Sequence, residues 1–282
     1  MSMLSRLGVV FARQWIAGTS IADVIERSKE INGNREKVLV NYLGEDITDR
    51  RAIGLEMEKY RELIDAMHRN RIRGAISVKP TQLGLALSGE LFENELDSLA
   101  DYASKKRMFI WLDMEGYDTV GKTINGYLKV FGRRRNIGIC IQAKLRRSYG
   151  DIKMLVGKGA AIRLVKGAYR YSGEVAYRDG ARIDANYMRC AEYLFRKSGN
   201  FMIATHDDRI IERCRGFEKR KRRRMSFAML NGIRGKLAKE LAQAGEEVYI
   251  YLPFGDDWFW YSVRRLGEEG HALLLLRSVF QG

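Results

Sequence analysis

The feature that most constrains this chain is a rhythm. Short apolar runs rich in branched residues recur at residues 37–43, 74–79, 108–113, 137–142, 160–166, 201–205, 225–230 and 247–251. Between most of them lie stretches with helical periodicity, at residues 53–70, 90–104, 121–130, 184–197 and 209–215, with a last one at 258–268. Continuous apolar runs, as opposed to alternating ones, suit strands buried on both faces, and eight of them separated by helices close into a parallel barrel. An open doubly wound sheet competes with this arrangement, but no GxGxxG follows the first run. The first 36 residues read as a separate helical segment, with an amphipathic stretch at 9–16 and a second helix capped by Thr19-Ser20 and ending near Ile31. The division expected is therefore a helical segment over 1–36 and an α/β barrel over 37–282, which matches the roughly 250 residues of one such barrel.

Composition narrows the setting. Hydrophobic residues make up 46% of the 282 and charged ones 30%, an ordinary globular balance with enough apolar side chain for a large core. The only prolines, Pro80 and Pro253, stand beside expected strand ends. Cys140, Cys190 and Cys214 are odd in number and far apart, which excludes a CxxC metal site and a disulfide framework and suits a reducing cytoplasm. No apolar run approaches the roughly 18 residues of a membrane span. The formal charge of +15 is compatible with an anionic bilayer surface, with nucleic acid, or with a soluble enzyme whose basic and acidic residues are interlaced. The longest basic run, residues 219–224, falls before the seventh strand, so the expectation is a solvated loop on the face away from the strand C-termini.

In a parallel barrel the chemistry gathers where strands end. The fifth run, A-A-I-R-L-V-K-G-A-Y, places Arg163, Lys166 and Tyr169 there beside the flexible Gly167. The second run ends in S-V-K-P-T and the third in W-L-D-M-E, so Lys79 and Asp113 stand at neighbouring strand ends as a candidate ion pair, structural or substrate-holding. In the last helix Tyr261, Arg264, Arg265 and Glu268 are three or four positions apart and share one side, an arrangement that suits a bidentate carboxylate clamp, although for an isolated helix a surface salt bridge with Tyr261 packed beneath is the commoner meaning. His206, in A-T-H-D, is a candidate general base or zinc ligand; His68 and His271 join no HxH or HExxH pattern, so no metal is expected.

Taken together, R-L-V-K-G-A-Y, S-V-K-P-T-Q-L-G, L-D-M-E, Y-L-P-F-G and Y-x-x-R-R-x-x-E resemble the strand and helix motifs of the proline dehydrogenases, from about Phe11 to Gly270. The resemblance implies a distorted (β/α)8 TIM-type barrel with short N-terminal helices, and FAD as cofactor. It implies that Lys79 pairs with Asp113 and that Arg264 and Arg265 anchor the carboxylate of L-proline, while Tyr169, Leu230, Tyr251 and Tyr261 enclose its ring. By the same resemblance Gln142 meets the isoalloxazine edge and Arg163 lies near flavin N5. Lys166, Gly167 and Ala168 follow the family's phosphate and ribose contacts, and Thr205, His206 and Asp207 complete the cofactor site. The chain departs from the family with Lys144 where a tyrosine is usual, and with S-F-A-M-L at 226–230 where E-F-Q-M-L is usual; loss of that carboxylate and amide would alter contacts to the adenosine.

The activity so implied is oxidation of L-proline to Δ1-pyrroline-5-carboxylate by hydride transfer to flavin N5, with reoxidation by a quinone or another acceptor. A separate pyrroline-5-carboxylate dehydrogenase would take the product onward. The expected setting is cytoplasmic, with peripheral contact at the inner face of the cell membrane left open and no nucleic acid partner. Two alternatives stand beside this reading: a related flavoenzyme acting on hydroxyproline or another cyclic amino acid, and a basic binding protein drifted from catalysis.

Overall fold

A computed structural model describes residues 15–169, 171–221 and 225–258. It begins with α1 (Ile21–Gly33), whose N-cap is Ser20: its hydroxyl accepts from the Asp23 N–H at 3.1 Å and the Asp23 carboxylate accepts from the Ser20 N–H at 3.0 Å. The order then runs β1 (Lys37–Tyr42), α2 (Arg50–Arg69), β2 (Gly74–Val78), a 3-10 turn (Pro80–Leu83), α3 (Gly89–Lys105), β3 (Ile110–Leu112), α4 (Tyr117–Phe131) and β4 (Ile137–Gln142). It continues with α5 (Ser148–Gly157), β5 (Ala161–Val165), α6 (Gly180–Lys197), β6 (Phe201–Ala204), α7 (Asp208–Lys221), β7 (Ser226–Leu230), α8 (Gly235–Gln243) and β8 (Glu247–Phe254). All neighbouring strands are parallel, and β1 pairs with β8, so the sheet closes in sequence order. This is the (β/α)8 barrel that the rhythm of apolar runs predicts.

Closure sorts the strand residues by parity. Val38, Val40, Ile76, Val78, Ile110 and Leu112 point outward and are fully buried under the helices. Residues of the opposite parity fill the barrel: Leu39, Ala75, Trp111, Ala161, Met202 and Ala228 form one apolar layer. The Trp111 ring takes the space over Gly138, where an added Cβ would lie 2.6 Å from it. One layer nearer the strand C-termini the inward positions turn polar, with Asn41, Ser77, Asp113, Arg163 and Tyr251. At the opposite end Glu247 accepts from both Lys37 and Ser226, a partly exposed polar cluster at that rim of the barrel.

Several sequence-based expectations change here. Two helices, α5 and α8, have no counterpart in the periodicity; α5 is ten residues long and holds Gly150 and Gly157, and α8 has only nine residues. Pro253 lies inside β8, which runs on to Phe254, and its carbonyl accepts from the Ala17 N–H at 2.9 Å. Helix α7 extends through Lys221, so residues 219–221 of the basic run are helical and not loop; 222–224 lie outside the described residues. The stretches expected as helices at 9–14 and 259–268 also lie outside them, whereas Trp15 and Ile16 are not helical.

Candidate active site

The polar layer of the barrel converges on one carboxylate. Asp113 leaves β3 with its N–H bonded to the Val78 carbonyl at 2.8 Å. Its Oδ1 accepts from the Ser77 hydroxyl at 2.8 Å and from Arg163 Nη2, and its Oδ2 accepts from the Tyr251 hydroxyl at 2.9 Å. Arg163 rises from β5, and its guanidinium lies over the rings of Tyr251 at 5.5 Å and Trp111 at 5.9 Å. It is only 3% exposed, and burial pulls it down to about 10, so it remains cationic at neutral pH. Its Nε and Nη1 are buried with no partner among the described residues.

Lys79 does not meet Asp113 as the neighbouring strand ends predict. It stands one layer further out and is buried, and its Nζ donates to the Gly44 carbonyl at 3.0 Å. Arg163 takes the place of the expected cation on Asp113. A buried amide steadies the Lys79 backbone: Gln82 Oε1 accepts from the Lys79 N–H at 3.1 Å and the Tyr60 hydroxyl at 2.7 Å, while its Nε2 donates to the Tyr42 carbonyl and to Glu56. Burial pushes the Glu56 carboxyl up to about 7. Next to it, both oxygens of Glu115 are held by Thr81, through its N–H at 2.9 Å and its hydroxyl at 2.7 Å.

Apart from Arg163, which lies inside the barrel, the residues assigned to a cofactor lie along the rim from β4 to the end of β6. Gln142 donates through Nε2 to the Met114 and Glu115 carbonyls at 3.0 and 2.9 Å, and its Oε1 accepts from the Tyr171 hydroxyl at 2.9 Å. Gly167 adopts φ +107°, and a Cβ there would lie 2.9 Å from Gln142 Oε1, so glycine is required twice over. Ala168 is exposed; Tyr169 is half-buried and its carbonyl accepts from Lys144 Nζ at 3.2 Å. Lys166 Nζ pairs with Asp184 at 2.6 Å and Asp207 at 3.2 Å. Burial alone would raise the Asp207 carboxyl, but hydrogen bonds from Arg209 and Lys166 outweigh it and hold it below the usual range. The Thr205 hydroxyl accepts from the Asp207 N–H at 3.1 Å.

His206 Nε2 accepts from the Leu230 N–H at 2.9 Å, so that nitrogen carries no proton and the ring is neutral. The contact ties the tops of β6 and β7 together and places Leu230, buried against Ile16, Leu43 and Ile233, beside the mouth. Among the described residues no group of three or more His, Cys, Asp or Glu is placed to hold a metal ion, and no helix is long and apolar enough to cross a membrane. Tyr261, Arg264 and Arg265, with Glu268, lie outside the described residues.

The departures on β7 have a different meaning from the one expected. Ser226 opens β7 at the barrel end away from the mouth, where it bonds Glu247, and Ala228 fills the interior apolar layer. Neither side chain is at the rim, because strand polarity puts residues 226 and 228 below Leu230. Sequence reasoning assigned no role to Ser77, Gln82 or Tyr171. Ser77 shares the inward parity of Lys79 and was legible from it; Tyr171 follows no periodic pattern.

A family model described as proline dehydrogenase matches residues 24–274. Proline dehydrogenase 1 of Bacillus subtilis subsp. natto is 32% identical over 282 residues, covering 98% of this chain and 92% of that protein. The proline dehydrogenase of Deinococcus radiodurans is 32% identical over 281 residues, covering 96% and 90%. In fold, the chain resembles proline utilization A from Bdellovibrio bacteriovorus inactivated by N-propargylglycine, with a TM-score of 0.85 at 24% identity over 92% of this chain and 32% of that much longer one. With a barrel of this kind, a family match over most of its length and relatives similar end to end, the chain belongs to the proline dehydrogenase family.

Proposed function

We propose that the protein oxidises L-proline to Δ1-pyrroline-5-carboxylate with FAD as cofactor. The observation that carries this reading is Arg163: a buried cation in the barrel's polar layer with two N–H-bearing atoms left unsatisfied among the described residues. Such orphaned donors are costly unless a ligand accepts from them, and an electron-rich ring atom fits them. Gly167, which leaves no room for a side chain over Gln142, fits a close approach by the same ligand. FAD, when bound, supplies a two-electron acceptor whose N5 takes a hydride from the ring carbon beside the proline nitrogen.

The chain's own residues bind and orient. Arg264 and Arg265 hold the proline carboxylate bidentately, and Lys79 completes that polar end. Tyr169, Leu230, Tyr251 and Tyr261 enclose the apolar ring. The hydrogen bond from Tyr251 to Asp113 fixes the tyrosine, and Arg163 is fixed through the same carboxylate. Holding the donor carbon about 3–3.5 Å from its acceptor supplies much of the rate as prepaid orientation. Gln142, Lys166, Gly167, Ala168, Thr205, His206 and Asp207 line the cofactor side. Electrons pass on to a quinone-type acceptor, the product passes to a separate pyrroline-5-carboxylate dehydrogenase, and the setting is cytoplasmic. Arg265→Ala tests the substrate side: proline KM rises at least about tenfold, the loss of one charge-assisted contact, while the purified variant keeps its flavin. An unchanged KM would contradict the assignment.

A further inference from the structure

Tyr171 stands in the connection between β5 and α6 and has no part in the reading above. Its hydroxyl lies 2.9 Å from Gln142 Oε1 and 3.2 Å from the Glu115 carbonyl. Both Nε2 protons of Gln142 are already committed to the Met114 and Glu115 carbonyls, so the amide cannot flip without setting its oxygen against two other oxygens. The remaining freedom of Gln142 is at Oε1, and there Tyr171 is the only donor among the described residues. Burial raises the Tyr171 phenol to about 12, which keeps it a donor through the physiological range. The ring is itself seated, edge-on to Tyr117 at 6.4 Å and tilted against Tyr169 at 6.3 Å.

The connection that carries it is anchored to the neighbouring loop after β4. Arg146 donates to the Gly173 carbonyl at 2.9 and 3.1 Å, the Arg146 N–H bonds the Val175 carbonyl, and the Tyr177 N–H bonds the Lys144 carbonyl. Lys144, which stands where the family usually has a tyrosine, turns its ammonium to the Tyr169 carbonyl and supplies no phenol. The aromatic hydroxyl on Gln142 comes from the connection after β5.

We infer that Tyr171 is a positioning residue for Gln142: it holds the amide oxygen facing Gly167 and so fixes the cofactor side of the site as an acceptor. The inference rests on the flavin reading, but its first readout does not. The chain has five glutamines, Gln14, Gln82, Gln142, Gln243 and Gln281, so selective 15N-glutamine labelling gives few side-chain amide signals, and Gln142→Asn identifies the relevant pair. In the FAD-free protein the Gln142 NH2 is expected to be protected from solvent exchange; in Tyr171→Phe, which keeps the ring and its packing, those signals shift and exchange faster. With FAD titrated by flavin fluorescence, Tyr171→Phe binds about 3–10-fold more weakly, as loss of one neutral hydrogen bond predicts. Unchanged Gln142 signals together with unchanged FAD affinity would overturn the inference. A native protein that takes up no FAD would instead overturn the flavin reading, leaving the amide signals to decide the role of Tyr171.

Discussion

At the scale of single residues, the site is a problem of buried charge. Arg163 and Asp113 are 3% and 14% exposed at the side chain, and two charges taken from water repay that cost only when their remaining bonding capacity is filled. Asp113 is filled, by Ser77, Tyr251 and Arg163 together. Arg163 is not, among the described residues, and the proposed flavin would complete it there. Removing the carboxylate while keeping its shape therefore strands the guanidinium. Asp113→Asn is expected to lower the unfolding free energy by about 3 kcal/mol, the cost of breaking a buried pair from one side. Urea denaturation of the FAD-free protein checks it; a loss within about 0.5 kcal/mol, the range of ordinary surface substitutions, would mean that the pair is not held as described.

At the scale of elements, the barrel was legible because each strand is an apolar run too short to be a helix and too continuous to be half-exposed. The inward-facing layers add a constraint that the runs alone do not carry. Gly138 on β4 is an example: the Trp111 ring of β3 occupies the volume its side chain would need. Gly138→Ala is expected to cost about 1–3 kcal/mol by overpacking, seen as a lower melting temperature with the circular dichroism of the native state retained; an unchanged melting temperature would show that the ring moves freely.

What the sequence hid has physical causes of the same kind. Helix α5 carries two glycines and little amphipathic pattern, while α8 is amphipathic but only nine residues long, too short for its period to stand out. The meeting of Arg163, not Lys79, with Asp113 depends on which layer of a closed barrel each residue reaches, which only the register decides. The contact of Tyr171 with Gln142 joins residues 29 positions apart through an irregular loop. Strand polarity likewise relocates the β7 departures: Ser226 and Ala228 became an interior matter as soon as the closed sheet set their depth.

At the scale of the whole molecule, the two ends of the barrel divide the work. One end carries the polar cluster of Lys37, Ser226 and Glu247 and serves stability. The other, at the strand C-termini where parallel barrels carry their chemistry, gathers the polar layer, the rim from Gln142 to Asp207 and the loops above it. In the proposed function this mouth oxidises L-proline with a flavin. The visible spectrum of the purified protein, supplemented with FAD and recorded before and after anaerobic addition of L-proline, tests it most directly. Flavin bands that bleach with L-proline are expected. Bands that persist with L-proline but bleach with another cyclic amino acid would contradict the substrate, and absence of any bound flavin would contradict the reading of the mouth as a flavin site.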